Sequence, residues 1–142
     1  IVGNAGALIT RVVYVKKGDA KTFVIVDAGM NDLVRPTLYD AWHDIIPVQE
    51  NADRAIHPAD VVGPVCETGD YLAQGRDLPE TKQGELLAVL TAGAYGAVQA
   101  GTYNTRPLIP EVLVDGDRFA VIRPRQSVEE IIALDRVPAW LD

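Results

Sequence analysis

The single cysteine of the chain lies in a short segment that also carries two acidic residues and a glycine. Residues 66–70 read Cys-Glu-Thr-Gly-Asp and follow an apolar run over residues 61–65. A thiol that acts as a nucleophile or proton donor needs a partly exposed, polar setting, and acidic neighbours favour a cationic ligand. A structural interpretation is also open, in which Cys66 is a small buried side chain at a strand end and Glu67 and Asp70 are turn residues.

Two further clusters could contact a ligand. Arg35 and Tyr39 are four residues apart, so on a helical turn they share a face, and the guanidinium could bind a carboxylate. Tyr95 lies in the glycine-rich segment 92–97, where the backbone can approach a ligand closely and the phenol could donate to a phosphate. The structural alternatives are an arginine packed on Tyr39 and a tyrosine at the rim of a barrel.

Composition narrows the class of protein. A chain of 142 residues fits one domain, and 48% hydrophobic residues are enough for a core. The formal net charge of −7 argues against nucleic acid as a partner. One cysteine excludes an internal disulfide, which fits a cytoplasmic protein. His43 and His57 have no neighbours at ligand spacing, so we predict no metal site.

The best candidate for a membrane span, residues 86–100, contains polar residues and glycines and is shorter than the roughly 20 apolar residues that a spanning helix needs. We therefore predict no association with a membrane. The chain begins at Ile1 within an apolar stretch, without the basic region of a signal peptide. We expect it to be a piece of a longer protein.

Hydrophobic residues mostly alternate along the chain, which predicts strands. The predicted strands are residues 7–15, 22–26, 45–48, 60–65, 85–90, 111–114 and 118–122. Short helices are predicted at residues 37–42 and at 128–134, the latter opened by a capping box of Ser127 and Glu130. The pattern predicts a mainly β fold, a barrel or sandwich with short helices.

Taken together, the segments resemble one family, diaminopimelate decarboxylase, a pyridoxal phosphate (PLP) enzyme. Residues 27–32 with 35–39 resemble its arginine–tyrosine segment, and residues 63–70 resemble its cysteine motif. Residues 92–96 and 103–107, which lead into residues 111–113, complete the series. The resemblance covers nearly the whole chain, and the order of four motifs makes it more specific than any one of them.

The resemblance implies a fold and a domain arrangement. The family has an N-terminal (β/α)8 barrel and a C-terminal β-domain, and residues 1–142 resemble only the second, an alanine-racemase-like Greek-key β-barrel or sandwich. The lysine that forms the Schiff base with PLP belongs to the N-terminal barrel. The lysines of this chain do not match its motif: Lys16, Lys17, Lys21 and Lys82. The isolated fragment is therefore expected to be inactive.

The resemblance also implies a role for each candidate residue. Cys66 would donate a proton to the reacting carbon in the site of the neighbouring subunit, since the family's sites form across a homodimer interface. Glu67 would bind the remote ammonium group of the substrate, and Arg35 and Tyr39 would bind substrate, Arg35 through a carboxylate. Tyr95 would contact both substrate and the phosphate of PLP. The implied reaction is decarboxylation of meso-diaminopimelate to L-lysine.

Two alternatives remain open. A related PLP decarboxylase could act on ornithine, arginine or carboxynorspermidine, but these relatives usually follow the cysteine with aspartate or an uncharged residue, so Glu67 favours diaminopimelate. A non-catalytic β-domain could serve in dimerisation or regulation. The joint presence of Cys66, Glu67, Arg35 and Tyr95 argues against that second alternative.

Overall fold

The larger part of the chain is built around one six-stranded sheet. The computed structural model describes residues 1–50 and 53–141. The chain divides into two compact units, Ile1–Ala100 and a smaller unit that begins at Gly101. The strands of the larger unit are β1 (Leu8–Lys17), β2 (Thr22–Val26), β3 (Ile45–Pro47), β4 (Ile56–Val62), β5 (Tyr71–Pro79) and β6 (Leu86–Val89).

The strands lie in the order β3-β6-β1-β2-β4-β5. Every neighbouring pair is antiparallel except β2 and β4, which run parallel. The sheet curls until its two edge strands, β3 and β5, approach each other. At this seam Arg76 of β5 donates to the carbonyl of His43 at 2.5 Å, and its guanidinium carbon lies 3.4 Å from the ring centre of Trp42. The result is a nearly closed, barrel-like sheet, as the sequence predicted.

Alternation along the strands separates the core from the outer face of the sheet. In β1, Leu8 and Val12 are buried while Ile9 and Val13 are exposed, which is the period of two expected for a strand. The fully buried side chains come from several strands at once: Val12, Val26, Val61, Leu87 and Val89. The core therefore lies inside the curled sheet.

The helix α1 (Arg35–Tyr39) crosses this unit near the β4–β5 connection. Its Pro36 lies in the first turn, where a missing N–H is tolerated. The helix ends at Tyr39, and the residue that caps it, Asp40, has a left-handed backbone with φ 54°. The sequence predicted a helix over residues 37–42, slightly too late. Arg35 begins the helix and Pro36 is its second residue, whereas the prediction began the helix after Pro36.

Strand β5 is absent from the prediction. Gly75 interrupts the strand with φ +55°, and the pairing of β4 with β5 shifts register between Ala59 and Val61. Gly75 N–H donates a hydrogen bond to Asp60 Oδ1 at 2.6 Å. Such a bulge breaks the alternation on which strand prediction depends. Strand β4 also begins earlier than predicted and ends at Val62, so residues 63–65 form a loop.

The smaller unit contains a hairpin and a short helix. Strands β7 (Glu111–Asp115) and β8 (Arg118–Arg123) pair around Gly116, which has φ +61°. Helix α2 (Val128–Ile132) is opened by the predicted capping box, with Glu130 N–H donating to Ser127 Oγ at 3.1 Å. Short 3₁₀ helices lie at Val2–Ala5 and Ala97–Gln99 in the larger unit, and at Tyr103–Thr105 and Ala139–Leu141 in the smaller unit.

Across the described residues, the structure contains no helix both long and apolar enough to span a membrane.

Candidate active site

The cysteine segment forms a tight loop between β4 and β5. Within it, Glu67 N–H donates to Val65 O at 2.8 Å, and Asp70 N–H donates to Glu67 O at 3.0 Å. The side chains of Cys66 and Glu67 are exposed, whereas Asp70 is buried. The interpretation of Cys66 as a buried residue at a strand end is therefore wrong. The loop presents a free thiol and a carboxylate side by side at the surface of this unit.

Helix α1 is attached to this loop. Thr37 Oγ1 donates to the carbonyl oxygen of Gly69, and a Cβ placed on Gly69 would lie only 2.6 Å from the Thr37 methyl group. The glycine therefore allows the helix to approach the loop closely. Nothing local in the sequence indicates this role of Thr37, because its partner lies 32 residues away.

Arg35 begins α1 and packs on Tyr95 rather than on Tyr39. Its guanidinium carbon lies 5.9 Å from the centre of the Tyr95 ring, within the range of a cation–π interaction. Tyr39 lies at the other end of the helix and is 59% exposed. The structure thus brings Arg35 and Tyr95 together and connects both to the Cys66 loop through α1.

Tyr95 occupies an unusual backbone position. It has φ +56°, a left-handed conformation that a residue other than glycine rarely adopts, and its side chain is 62% exposed. The glycine-rich segment 92–97, which contains Tyr95, is held against the 3₁₀ helix at Val2–Ala5, because Gly93 N–H donates to Gly3 O at 3.0 Å. A Cβ on Gly93 would lie 2.7 Å from the Gly6 nitrogen. Strain of this kind is concentrated at binding sites, and the outward phenol is suited to donate to an anion such as a phosphate.

The loop that leads into α1 is fixed by buried hydrogen bonds. Asp32 Oδ2 accepts from Gly29 N–H at 2.9 Å, and Asp32 Oδ1 accepts from Asn31 Nδ2 at 3.0 Å. At its start, Asp27 Oδ1 accepts from Thr10 Oγ1 at 2.7 Å, so the loop is tied to β1. These contacts hold the entry to α1, and therefore Arg35, in a defined position.

Fold and site together define the β-domain of a decarboxylase. The chain belongs to the family described as pyridoxal-dependent decarboxylase, C-terminal sheet domain, which matches residues 1–93. That match includes Arg35, Tyr39, Cys66 and Glu67, and it ends just before Tyr95.

Individual relatives narrow the comparison further. Over 141 residues the chain is 49% identical to the diaminopimelate decarboxylase of Zymomonas mobilis, covering 99% of this chain and 33% of the relative. The crystal structure of the Helicobacter pylori diaminopimelate decarboxylase complexed with L-lysine matches with TM-score 0.86 and 45% identity, covering 94% of this chain and 32% of that one. The M. jannaschii enzyme in co-complex with L-lysine matches with TM-score 0.92 and 34% identity, covering 99% and 32%.

The comparisons confirm the family resemblance and the mainly β fold predicted from the sequence. The chain spans about a third of the length of these relatives.

Proposed function

We propose that the protein to which this chain belongs is a PLP-dependent decarboxylase that converts meso-diaminopimelate to L-lysine and carbon dioxide. The observation that carries the proposal is an exposed Cys66–Glu67 pair on a loop attached to the helix of Arg35, in a chain 49% identical to a diaminopimelate decarboxylase. Two structural neighbours are diaminopimelate decarboxylases complexed with L-lysine, the product of this reaction.

The chain supplies binding groups and a proton. Arg35 binds a substrate carboxylate through its guanidinium fork, and the Tyr95 ring against it limits the orientations that the guanidinium can adopt. Tyr39, on the same short helix, contacts substrate beside it. Tyr95 also donates from its exposed phenol to the phosphate of PLP, which when bound supplies the electron sink for decarboxylation.

Cys66 and Glu67 divide the remaining work. The Cys66 thiol gives its proton to the carbon that has lost the carboxylate, and its exposure at the tip of the loop allows it to reach a substrate held elsewhere. Glu67 binds the ammonium group at the far end of diaminopimelate. A substrate without that group leaves the Glu67 carboxylate unpaired in the closed site. This lowers kcat/KM for such a substrate on the order of 10⁴-fold.

The rest of the site lies outside this chain. We propose that the Schiff-base lysine belongs to an N-terminal (β/α)8 barrel of the same protein, and that Cys66 acts in the site of the second subunit of a homodimer. The protein is proposed to work in the cytoplasm, where lysine biosynthesis takes place. An exposed thiol together with the absence of a second cysteine in this chain fits a reducing compartment.

Substrate discrimination tests the proposal. The full protein with PLP is assayed for carbon dioxide release from meso-diaminopimelate, ornithine, arginine and carboxynorspermidine, beside Glu67→Gln and the control Glu50→Gln, whose side chain is exposed on another loop. We expect wild type and the control to prefer diaminopimelate strongly, and Glu67→Gln to lose most of that preference through KM. A preference for ornithine or arginine in wild type, or an unchanged preference in Glu67→Gln, contradicts the assignment.

A further inference from the structure

Asp70 joins the two segments that carry the proposed catalytic groups. Its side chain is 5% exposed, and each carboxylate oxygen accepts from a different segment. Oδ1 accepts from Met30 N–H at 2.7 Å, in the loop that leads into α1. Oδ2 accepts from Val65 N–H at 2.5 Å, directly before Cys66. One carboxylate therefore bridges the backbone next to the thiol and the backbone that leads to Arg35.

The surrounding residues leave room for this bridge. A Cβ on Gly63 would lie 2.5 Å from Asp70 Oδ1, and a Cβ on Gly29 would lie 3.1 Å from the same oxygen. Both glycines thus allow the backbone to close around the carboxylate. The Asp70 backbone takes part as well, since Gly63 N–H donates to Asp70 O at 3.0 Å. A buried carboxylate that accepts backbone N–H groups on both oxygens is a rigid link, because moving either segment leaves charge unpaired.

A second link runs parallel to the first. Thr37 of α1 donates to Gly69 O, next to Asp70 in the chain. The loop of Cys66 and the helix of Arg35 are therefore joined at two points, one before the helix and one within it. Arg35 extends the assembly to Tyr95 through the cation–π contact at 5.9 Å.

We propose that Asp70 is a positioning residue that sets the Cys66 thiol relative to Arg35; this inference rests on the proposed function. Proton delivery requires the thiol to meet the carbon of a substrate whose carboxylate is held by Arg35. Displacement of a reacting group by about 1 Å costs on the order of 100-fold in rate. Asp70 touches neither substrate nor PLP and acts only through the backbone of its two partners.

The primary test replaces Asp70 by asparagine in the full protein with PLP. An amide can accept on one side only, so one of the two backbone N–H groups faces an NH₂ group and the bridge opens at one end. We expect kcat for diaminopimelate to fall at least about tenfold, while PLP binding, followed by its absorbance, stays unchanged.

Asp60→Asn is the matched control. Asp60 is also 5% exposed and accepts a backbone N–H, that of Gly75 at 2.6 Å, but it lies on the β4–β5 pair away from the loop. We expect its kcat to stay within about threefold of wild type, since no proposed catalytic group is attached to it. Equal losses of kcat in Asp70→Asn and Asp60→Asn overturn the inference.

A double-mutant cycle with Cys66→Ala separates positioning from general damage. If Asp70 acts through the thiol, Asp70→Asn lowers the residual rate of the Cys66→Ala protein less than about twofold, although it lowers wild type at least about tenfold. Additive losses overturn the inference. Should Asp70→Asn fail to fold, Thr37→Val opens the second link, and the same non-additivity with Cys66→Ala is expected.

The outcomes distinguish the two proposals. A wild-type protein that binds PLP but releases no carbon dioxide from diaminopimelate removes the proposed function itself. An active wild type with Asp70→Asn indistinguishable from Asp60→Asn removes only the positioning role of Asp70.

Discussion

Gly63→Ala places a methyl group against the carboxylate that bridges the Cys66 loop and the entry to α1. The new Cβ would lie 2.5 Å from Asp70 Oδ1 and 2.7 Å from its Cγ, distances that real side chains do not tolerate. The Asp70 side chain cannot escape to solvent because it is 5% exposed. The carboxylate must therefore shift and lengthen the hydrogen bonds that it accepts from Met30 N–H at 2.7 Å and from Val65 N–H at 2.5 Å.

The size of the effect follows from those two bonds. A hydrogen bond to a charged group contributes about 1.5–3 kcal/mol. Since about 1.4 kcal/mol corresponds to a factor of ten in an equilibrium constant, loss of one such bond raises the local opening equilibrium by about 10- to 100-fold. Hydrogen–deuterium exchange of the Met30 and Val65 amides should speed up by the same factor, because exchange follows the opening equilibrium when a segment recloses faster than its open amides exchange.

Exchange measured by mass spectrometry on peptides that span residues 27–34 and 61–71 gives the readout. Gly101→Ala is the control, because a Cβ there meets no atom within 4 Å. The control should leave both peptides unchanged. Gly63→Ala with wild-type exchange in both peptides would refute the bridge and, with it, the structural basis for the role of Asp70.

Two further predictions concern the stability of the sheet. Leu87 is fully buried on β6 between β1 and β3, so Leu87→Ala should lower the free energy of unfolding by about 2–5 kcal/mol, whereas Ile9→Ala, at a half-exposed position of β1, should cost far less in the same urea titration. Two hydrogen bonds from Arg54, both of 2.6 Å, lower the pKa of Glu85 in the folded protein. The pair therefore stabilises the fold at pH values above the ordinary glutamate pKa of about 4.3. This stabilisation is lost as the pH falls through the lower pKa that Glu85 has in the folded protein. Glu85→Gln should therefore lower the urea midpoint at neutral pH and approach wild type below about pH 4; a constant difference across pH would contradict the ion pair.

Features determined by neighbouring residues were predicted well from the sequence. The four strands that form the β1–β2 and β7–β8 pairs and the capping box of Ser127 with Glu130 follow from local patterns in the sequence, and the structure contains each of them. Strand β5 was missed because Gly75 introduces a bulge whose partner, Asp60, lies on another strand.

The candidate site likewise combines features that local sequence indicates with features that depend on tertiary contacts. The sequence identifies the candidate residues by type and spacing, but their exposure and grouping depend on tertiary contacts. These residues are Cys66, Glu67, Arg35, Tyr39 and Tyr95. The pairing of Arg35 with Tyr95 rather than Tyr39 is one such contact. Asp70 was open to two interpretations, an acidic neighbour of the thiol or a turn residue. Neither includes its contact with Met30, which lies 40 positions away and leaves no local pattern in the sequence.

The most decisive measurement of the proposed role of Cys66 is the rate of carbon dioxide release from meso-diaminopimelate by the full protein with PLP, compared between wild type and Cys66→Ala. We expect wild type to release carbon dioxide and the rate of Cys66→Ala to be about 10²- to 10⁴-fold lower, the usual contribution of a positioned proton donor, while PLP binding is retained. An unchanged rate in Cys66→Ala would contradict the assignment of Cys66 as the proton donor.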